Sequence, residues 1–138
     1  MRKQELDNWV ENGGDLPDEL TEDEKSYLKG LGWKFSENWY SMGEMRVEWN
    51  YLNGKQHGKD GGWYPNGQKE CEEYWLHGKK HGVFKAWYDN GQKWRELHYH
   101  HGKEHGVIKY WNYDGILVEH KEYAYGILLK DYLKEETK

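Results

Sequence analysis

The sequence predicts a mostly β fold, an antiparallel meander of repeated β-hairpins in a single-layer elongated sheet with short helices at both ends. Three observations predict it. Aromatic residues and glycines recur every 24 residues, Asn-Gly pairs separate strand-like runs, and aliphatic residues are too few for a thick core. Trp39, Trp63, Trp87 and Trp111 stand 24 residues apart, as do Gly43, Gly67, Gly91 and Gly115, and again Gly54, Gly78, Gly102 and Gly126. His57, His81 and His105 share the grid with Lys55, Lys79 and Lys103. Tyr51, Trp75, Tyr99 and Tyr123 form an aromatic column, and Glu48, Glu72 and Glu96 an acidic one that ends in His120. Four units without insertion run from 35 to 126, which marks a stacked array.

Composition agrees with a thin fold. The 138 residues include 12 Leu, 3 Ile, 5 Val and 2 Phe, against 9 Trp and 12 Tyr. Large rings bury about 150–250 Å² each, so they can replace the missing aliphatics while leaving few residues wholly enclosed. The single cysteine, Cys71, forbids an internal disulfide and suits a reducing compartment. "MRKQELDNWVENGG" has no apolar run of signal-peptide type, and no stretch has the length needed to span a bilayer. The chain reads as soluble and cytoplasmic.

The first segment, 1–34, is acidic and partly helical. "RKQELDNWVEN" is a short helix stopped by Gly13-Gly14. Thr21 and Glu24 form a capping box for "EDEKSYLKG", with Leu20 as its staple residue. In the array, "GVFKAWY" and "QKWRELHY" are strands joined at Asn90-Gly91, the pair preferred where both residues of a two-residue turn need positive φ. Asn66-Gly67 and Asp114-Gly115 repeat that turn, and Gly43 holds the place in the first unit. The second connection, "HHGKEHG", reads as a wider turn or bulge. "ILLKDYLKEE" puts Ile127, Leu128 and Tyr132 on one stripe, and 127–138 is assigned to a C-terminal capping helix.

A two-residue turn at Asn90-Gly91 sets Trp87 opposite Trp94, Lys85 opposite Glu96 and Phe84 opposite Leu97. One face then carries Tyr40, Val47, Trp49, Tyr64, Cys71, Phe84, Leu97, Tyr99, Ile108, Tyr110 and also Lys93; it is the more apolar and the expected site of helix cover. The other carries the Trp column beside Glu48, Glu72 and Glu96. Trp63, Trp87, Trp94, Trp111, Glu72 and Glu96 are therefore the candidate partner-binding residues, since Trp anchors interfaces. The alternative is that Trp only packs one unit on the next.

Several chemistries are excluded. The net charge of −5 lies wholly in residues 1–30, and the array is neutral, so the basic stripe of a nucleic-acid binder is missing. "DLPDELTEDE" reads as a solvated face, or else as a lure for a basic partner. There is no P-loop, G-x-S-x-G or H-E-x-x-H, and Cys71 sits among Glu70, Glu72 and Glu73, which raise a thiol pKa. Equivalent columns lie two strands, about 9.6 Å, apart, too far for His57, His81 and His105 to share one ion. The same spacing poorly suits the Glu column to paired-carboxylate chemistry. A local set of His98, His100, His101 and His105 stays open, but no metal, no cofactor and no enzyme activity are expected.

The pattern W-Y-x-N-G-Q, then Y or W, then x-x-G-K-x-H-G resembles the MORN-repeat proteins in their 24-residue variant. It is similar to bacterial YwqK-type antitoxins and to arrays of large DNA viruses. The resemblance spans 35–126 and implies a β-hairpin interaction surface; in the antitoxin branch it implies a toxin as partner. Met42-Gly43-Glu44 and Ile127-Leu128-Leu129 depart from the pattern at the two ends, as solenoid caps do. The leading expectation is a protein-binding, immunity-like module. The alternatives are a scaffold that forms homo-oligomers and, more weakly, lipid attachment through Lys55, Lys79 and Lys103, which a neutral array suits poorly.

Overall fold

The computed structural model describes residues 1–39 and 45–136. Helices α1 (Lys3–Asn12) and α2 (Glu22–Gly30) precede twelve antiparallel strands in one open sheet. The long strands are β1 (Trp33–Trp39), β2 (Met45–Leu52), β4 (Gly58–Trp63), β5 (Lys69–Leu76), β7 (Gly82–Trp87), β8 (Lys93–His100), β10 (Gly106–Trp111) and β11 (Leu117–Ala124). They lie side by side in chain order, and β12 (Ile127–Asp131) closes the row. Three two-residue strands, β3 (Lys55–Gln56), β6 (Lys79–Lys80) and β9 (Lys103–Glu104), lead into β4, β7 and β10. Helix α3 (Tyr132–Glu136) follows. Tyr40 and Gly43, expected on the apolar face and in a turn, lie outside the described residues.

The two kinds of turn are the reverse of the sequence expectation. The turns with both residues at positive φ are Asn53-Gly54 (52°, 79°), His77-Gly78 (47°, 88°), His101-Gly102 (48°, 86°) and Tyr125-Gly126 (47°, 89°). At Asn90-Gly91 only the glycine is positive, at 87°, and the same holds at Gly67 and Gly115. There the loop is three residues long: Gly91 N donates to the Tyr88 carbonyl (3.0 Å) and Tyr88 N to that of Gln92 (2.8 Å). Asn90 acts through its side chain, whose Oδ1 accepts Gln92 N at 2.9 Å, as Asn66 does for Gln68.

The longer loop shifts the register by one residue, and a bulge between Ala86 and Trp87 shifts it back. Trp87 therefore opposes Lys93, not Trp94, while Lys85↔Glu96 and Phe84↔Leu97 pair as the sequence predicts. Trp94 is the extra residue. The same bulge follows Gly62 and Tyr110.

Helix cover also lies on the face opposite to the expected one. Leu6, Trp9 and Leu28 of the two helices form a buried cluster with Leu52, against which Leu16, Leu20 and Trp33 pack. Trp33 pairs with Leu52, and alternation along β2 puts Leu52 on the side of Asn50 and Glu48. The acidic column's face is therefore the covered one at the N-terminal end, because that is where Leu52 and Leu76 stand. The capping box forms as expected: Glu24 N donates to Thr21 Oγ1 and Thr21 N to Glu24 Oε1. Glu24 is buried against Arg2, whose Nε and Nη2 reach its two oxygens at 3.0 and 2.9 Å. The more apolar face carries Leu97, Ala86 and Ile108, each under 5% exposed, shielded by neighbours on the same sheet.

Among the described residues the C-terminal helix is Tyr132–Glu136. Residues 127–131, expected to be helical, form β12, because the Tyr125-Gly126 turn sends them back along β11, with Ala124 opposite Ile127. The ladder overrides the helical period of the aliphatics.

A side chain at Gly91 meets two obstacles, its φ of +87° and Gln68 Oε1 at 2.5 Å from the added Cβ. Gly91→Val is expected to lose about 1–3 kcal/mol in denaturant unfolding. Gly30→Ala, in α2 with nothing within 4 Å of the added Cβ, should leave stability unchanged or raise it by up to about 1 kcal/mol.

Candidate functional site

The Trp and Glu columns meet as a self-satisfied surface. Lys69 places its Nζ 5.2 Å from the Trp63 ring and 3.4 Å from Glu72 Oε2, while Lys59 Nζ lies 3.0 Å from Glu72 Oε1. One unit on, Lys93 Nζ lies 2.9 Å from Glu96 Oε2 and 5.6 Å from the Trp111 ring. Lys93 therefore shares the face of Trp111 and Glu96, contrary to its expected place. Both carboxylates are held below their ordinary pKa. For Glu72 burial pushes upward and the two lysines outweigh it; for Glu96 the Lys93 hydrogen bond dominates. Glu48, with no such bond among the described residues, is pushed up by burial.

Trp63, Trp87 and Trp111 are half-buried, and their units are tied through the backbone. Tyr64 Oη donates to the Trp87 carbonyl (2.7 Å) and Tyr88 Oη to that of Trp111 (2.8 Å). Trp94 does not join them. The Arg95 guanidinium lies 4.3 Å from the Trp94 ring and 4.9 Å from that of Phe84, which pairs with Leu97. The bulge has turned Trp94 toward the apolar face, so the six candidate residues split five to one.

Sequence reasoning missed the exposed apolar residues of the last hairpin. Tyr113, Ile116 and Val118 stand at one edge of the sheet, and Tyr125, Ile127, Leu128 and Leu129 at the other; Ile127 is 68% exposed and Leu129 60%. The signal was in the grid. Ile116 occupies the column of Gln68 and Gln92, Ile127 that of Lys79 and Lys103, and Leu129 that of His81 and His105. Each polar repeat residue becomes aliphatic where the array ends. Among the described residues β12 is also the last strand of the sheet, with β11 on one side only.

A shallow groove of ≈ 760 Å³ lies between the α1–α2 connection and the sheet, lined by Asp15, Leu16, Trp33, Phe35, Glu48 and Lys59. Lys59 Nζ approaches Asp15 Oδ1 at 3.9 Å across it. The Cys71 thiol is pushed up to about 11 by burial and then by Glu70, Glu73 and Asp60, in line with the sequence reading.

The histidines fall into a different group from the expected local set. His81, His100 and His101 bring one ring nitrogen each within 4.8 Å of the others, whereas His98 turns to Glu96. His57 is fully buried: its Nδ1 accepts His77 N (3.0 Å) and its Nε2 bonds the Trp9 carbonyl (2.7 Å). Burial holds its pKa below the ordinary value.

Asp60 is 5% exposed, and burial, with Glu73 beside it, raises its pKa to about 8. Its Oδ2 accepts Gln56 Nε2 and Trp75 Nε1, both at 3.1 Å, and the protonated carboxyl shares a side-chain hydrogen bond with Glu73. The folded state holds a proton that the unfolded chain releases above its ordinary carboxyl pKa. The contribution of Asp60 to stability therefore falls as pH rises from about 4 to about 8. Asp60→Asn keeps the two accepted bonds and cannot ionise. Its gain over the parent should grow across that window to on the order of 1–3 kcal/mol, read from denaturant midpoints at pH 5 and pH 8.

Among the described residues no helix is long and apolar enough to cross a membrane. No family model matches the chain, and no curated protein matches it. Among solved structures it is similar to one described as the crystal structure of accessory secretory protein 1,2 and 3 in Streptococcus pneumoniae. The identity is 13% and the TM-score 0.36, over 85% of this chain and 22% of that one. The chain thus spans about a fifth of the length of that structure, and a likeness so slight carries no functional argument.

Proposed function

We infer that this chain is a non-catalytic protein-binding module that occludes a protein partner by surface contact, as the resemblance of its repeats to MORN-type antitoxins implies. The observation that carries the reading is the aliphatic end of the array. Contiguous exposed apolar residues mark interaction sites, and an open strand edge can take up a partner's extended chain. Ile127, Leu128 and Leu129 supply both on β12. The Trp and Glu face supports the reading less, since its carboxylates already hold lysines and its rings are half-buried.

The same edge favours a second reading, a scaffold that pairs with its own copies. Edge strands lacking charged side chains template pairing with another chain, and the first three residues of β12 carry no charge.

Light scattering on the purified chain, with affinity capture from its native host, separates the two. The first reading expects a monomer that captures a protein in a 1:1 complex. Ile127→Lys with Leu129→Lys should weaken that complex at least tenfold, and Trp87→Ala should change it little. A concentration-dependent dimer abolished by the same lysines would establish the second. A monomer that captures nothing, or a complex lost with Trp87→Ala and indifferent to the lysines, would overturn the assignment to β12.

A further inference from the structure

The geometry points to a divalent transition-metal site at the loop edge of the third hairpin, with the ion held by the imidazoles of His81, His100 and His101 and a solvent molecule as fourth ligand. Three elements converge there. His81 stands at the kink between β6 and β7, His100 ends β8, and His101 opens the turn to β9. Their ring centroids are 4.9 Å (81–100), 4.7 Å (81–101) and 4.4 Å (100–101) apart. A tetrahedral ion with bonds of about 2.0–2.1 Å needs donors roughly 3.4 Å from one another. The donors of the three imidazoles, one exposed and two half-buried, already lie within 4.8 Å of one another, and binding an ion requires their rings to rotate closer. Imidazole donors with an open position suit zinc, copper or nickel and not calcium or magnesium.

The repeat itself does not call for this cluster. The column of His100 holds Leu52, Leu76 and Ala124 in the other units, and that of His101 holds Asn53, His77 and Tyr125. Only the third unit puts imidazoles at both places. One unit earlier, His57 and His77 lie 4.5 Å apart, but Trp9 closes over His57 and its carbonyl engages the second nitrogen. His105 lies farther off, its ring 5.7 Å from that of His100 and 4.4 Å from that of Tyr125. Burial, with His101 and His100 beside it, keeps the pKa of His81 below the ordinary value, so its ring is neutral and able to ligate at pH 7.

Ligation has a distinctive consequence. His81 Nδ1 now accepts the His101 amide at 3.1 Å, which leaves the ring proton on Nε2. Binding an ion through Nε2 moves that proton to Nδ1, with no net proton change, and a protonated Nδ1 cannot accept the amide. Metal binding therefore releases His101 N–H, while the equivalent bonds of His77 to His57 and of Tyr125 to His105 stay in place.

The test is a Zn²⁺ titration of the full chain at pH 7.5, followed by calorimetry and by backbone amide NMR. One zinc per chain is expected, with the His101 amide shifted and exchanging faster while those of His77 and Tyr125 hold still. His100→Leu with His101→Asn, the residues that the first unit carries at these columns, should weaken zinc binding at least tenfold and leave the metal-free unfolding temperature unchanged. His98→Ala should bind as the parent does. Absence of zinc binding, equal binding by the Leu/Asn variant, or binding that leaves the His101 amide unmoved would each overturn the site. The amide measurement is made on the unaltered chain, so it decides the matter even where the double variant is destabilised.

Discussion

Each unit of the sheet is tied to the next by a histidine Nδ1 that accepts the amide of a turn residue 20 positions on. His57 takes His77 N, His81 takes His101 N and His105 takes Tyr125 N, at 3.0–3.2 Å. A single-layer sheet has no second layer to pack its turns against, so these amides need a partner from the neighbouring hairpin. The bond requires the turn residue at positive φ, and the glycine after each histidine, Gly58, Gly82 or Gly106, also at positive φ. Beside it the turn glycines Gly78, Gly102 and Gly126 donate to the carbonyls of Gln56, Lys80 and Glu104. The opposite edge is stitched by Tyr64, Tyr88, Asn66 and Asn90, each reaching a carbonyl of the following unit. Stability in such an array is a sum of unit and nearest-neighbour contributions.

Both ends of the array are places where this tie changes. The first turn has no earlier histidine, and Asn53 N goes to the Gly32 carbonyl instead. His57, the first in the column, uses its second nitrogen to hold Trp9, which also meets it edge to face at 4.8 Å. Gly58 has to be glycine here, because a Cβ would lie 2.3 Å from Trp9 Nε1. The acidic N-terminal segment is thereby part of the folded body and no detachable tail. Toward the other end the column passes into Leu129, and Tyr132 covers His120 with its ring at 4.3 Å while its Oη donates to Glu122. The edge beyond remains apolar.

Charge is arranged so that the middle of the sheet is neutral within itself. Lysine–glutamate pairs at this exposure stabilise by at most about 1 kcal/mol each, so they order the surface more than they hold the fold. The buried Asp60 is the opposite case, a carboxyl kept protonated by its surroundings in a strand otherwise rich in glycine. The apolar surface left exposed is consequently the aliphatic end and not the charged middle.

The sequence by itself determined the number of units, the two long strands of each, the Lys85↔Glu96 and Phe84↔Leu97 pairings and the capping box at Thr21, because these depend on local periodicity and on neighbouring residues. It also pointed to a raised pKa for the Cys71 thiol, since Glu70 and Glu73 lie beside it in the chain, while burial, the larger cause, came from the tertiary structure. Only the tertiary structure decided which turn is tight: Asn90 spends its side chain on Gln92 N, while His101 and its counterparts, poor turn residues by propensity, are held at positive φ by an imidazole of the preceding unit. It decided that Trp94 leaves the Trp face and Lys93 joins it, because a bulge that restores register is invisible to an alternation count. It decided which face the helices cover, since Leu52 and His57 reach Trp9 only once the chain has folded back 48 residues. And it brought His81 to His100 and His101, whose separation in sequence matches no metal-binding spacing, because hairpins side by side place the kink of one against the turn of the next.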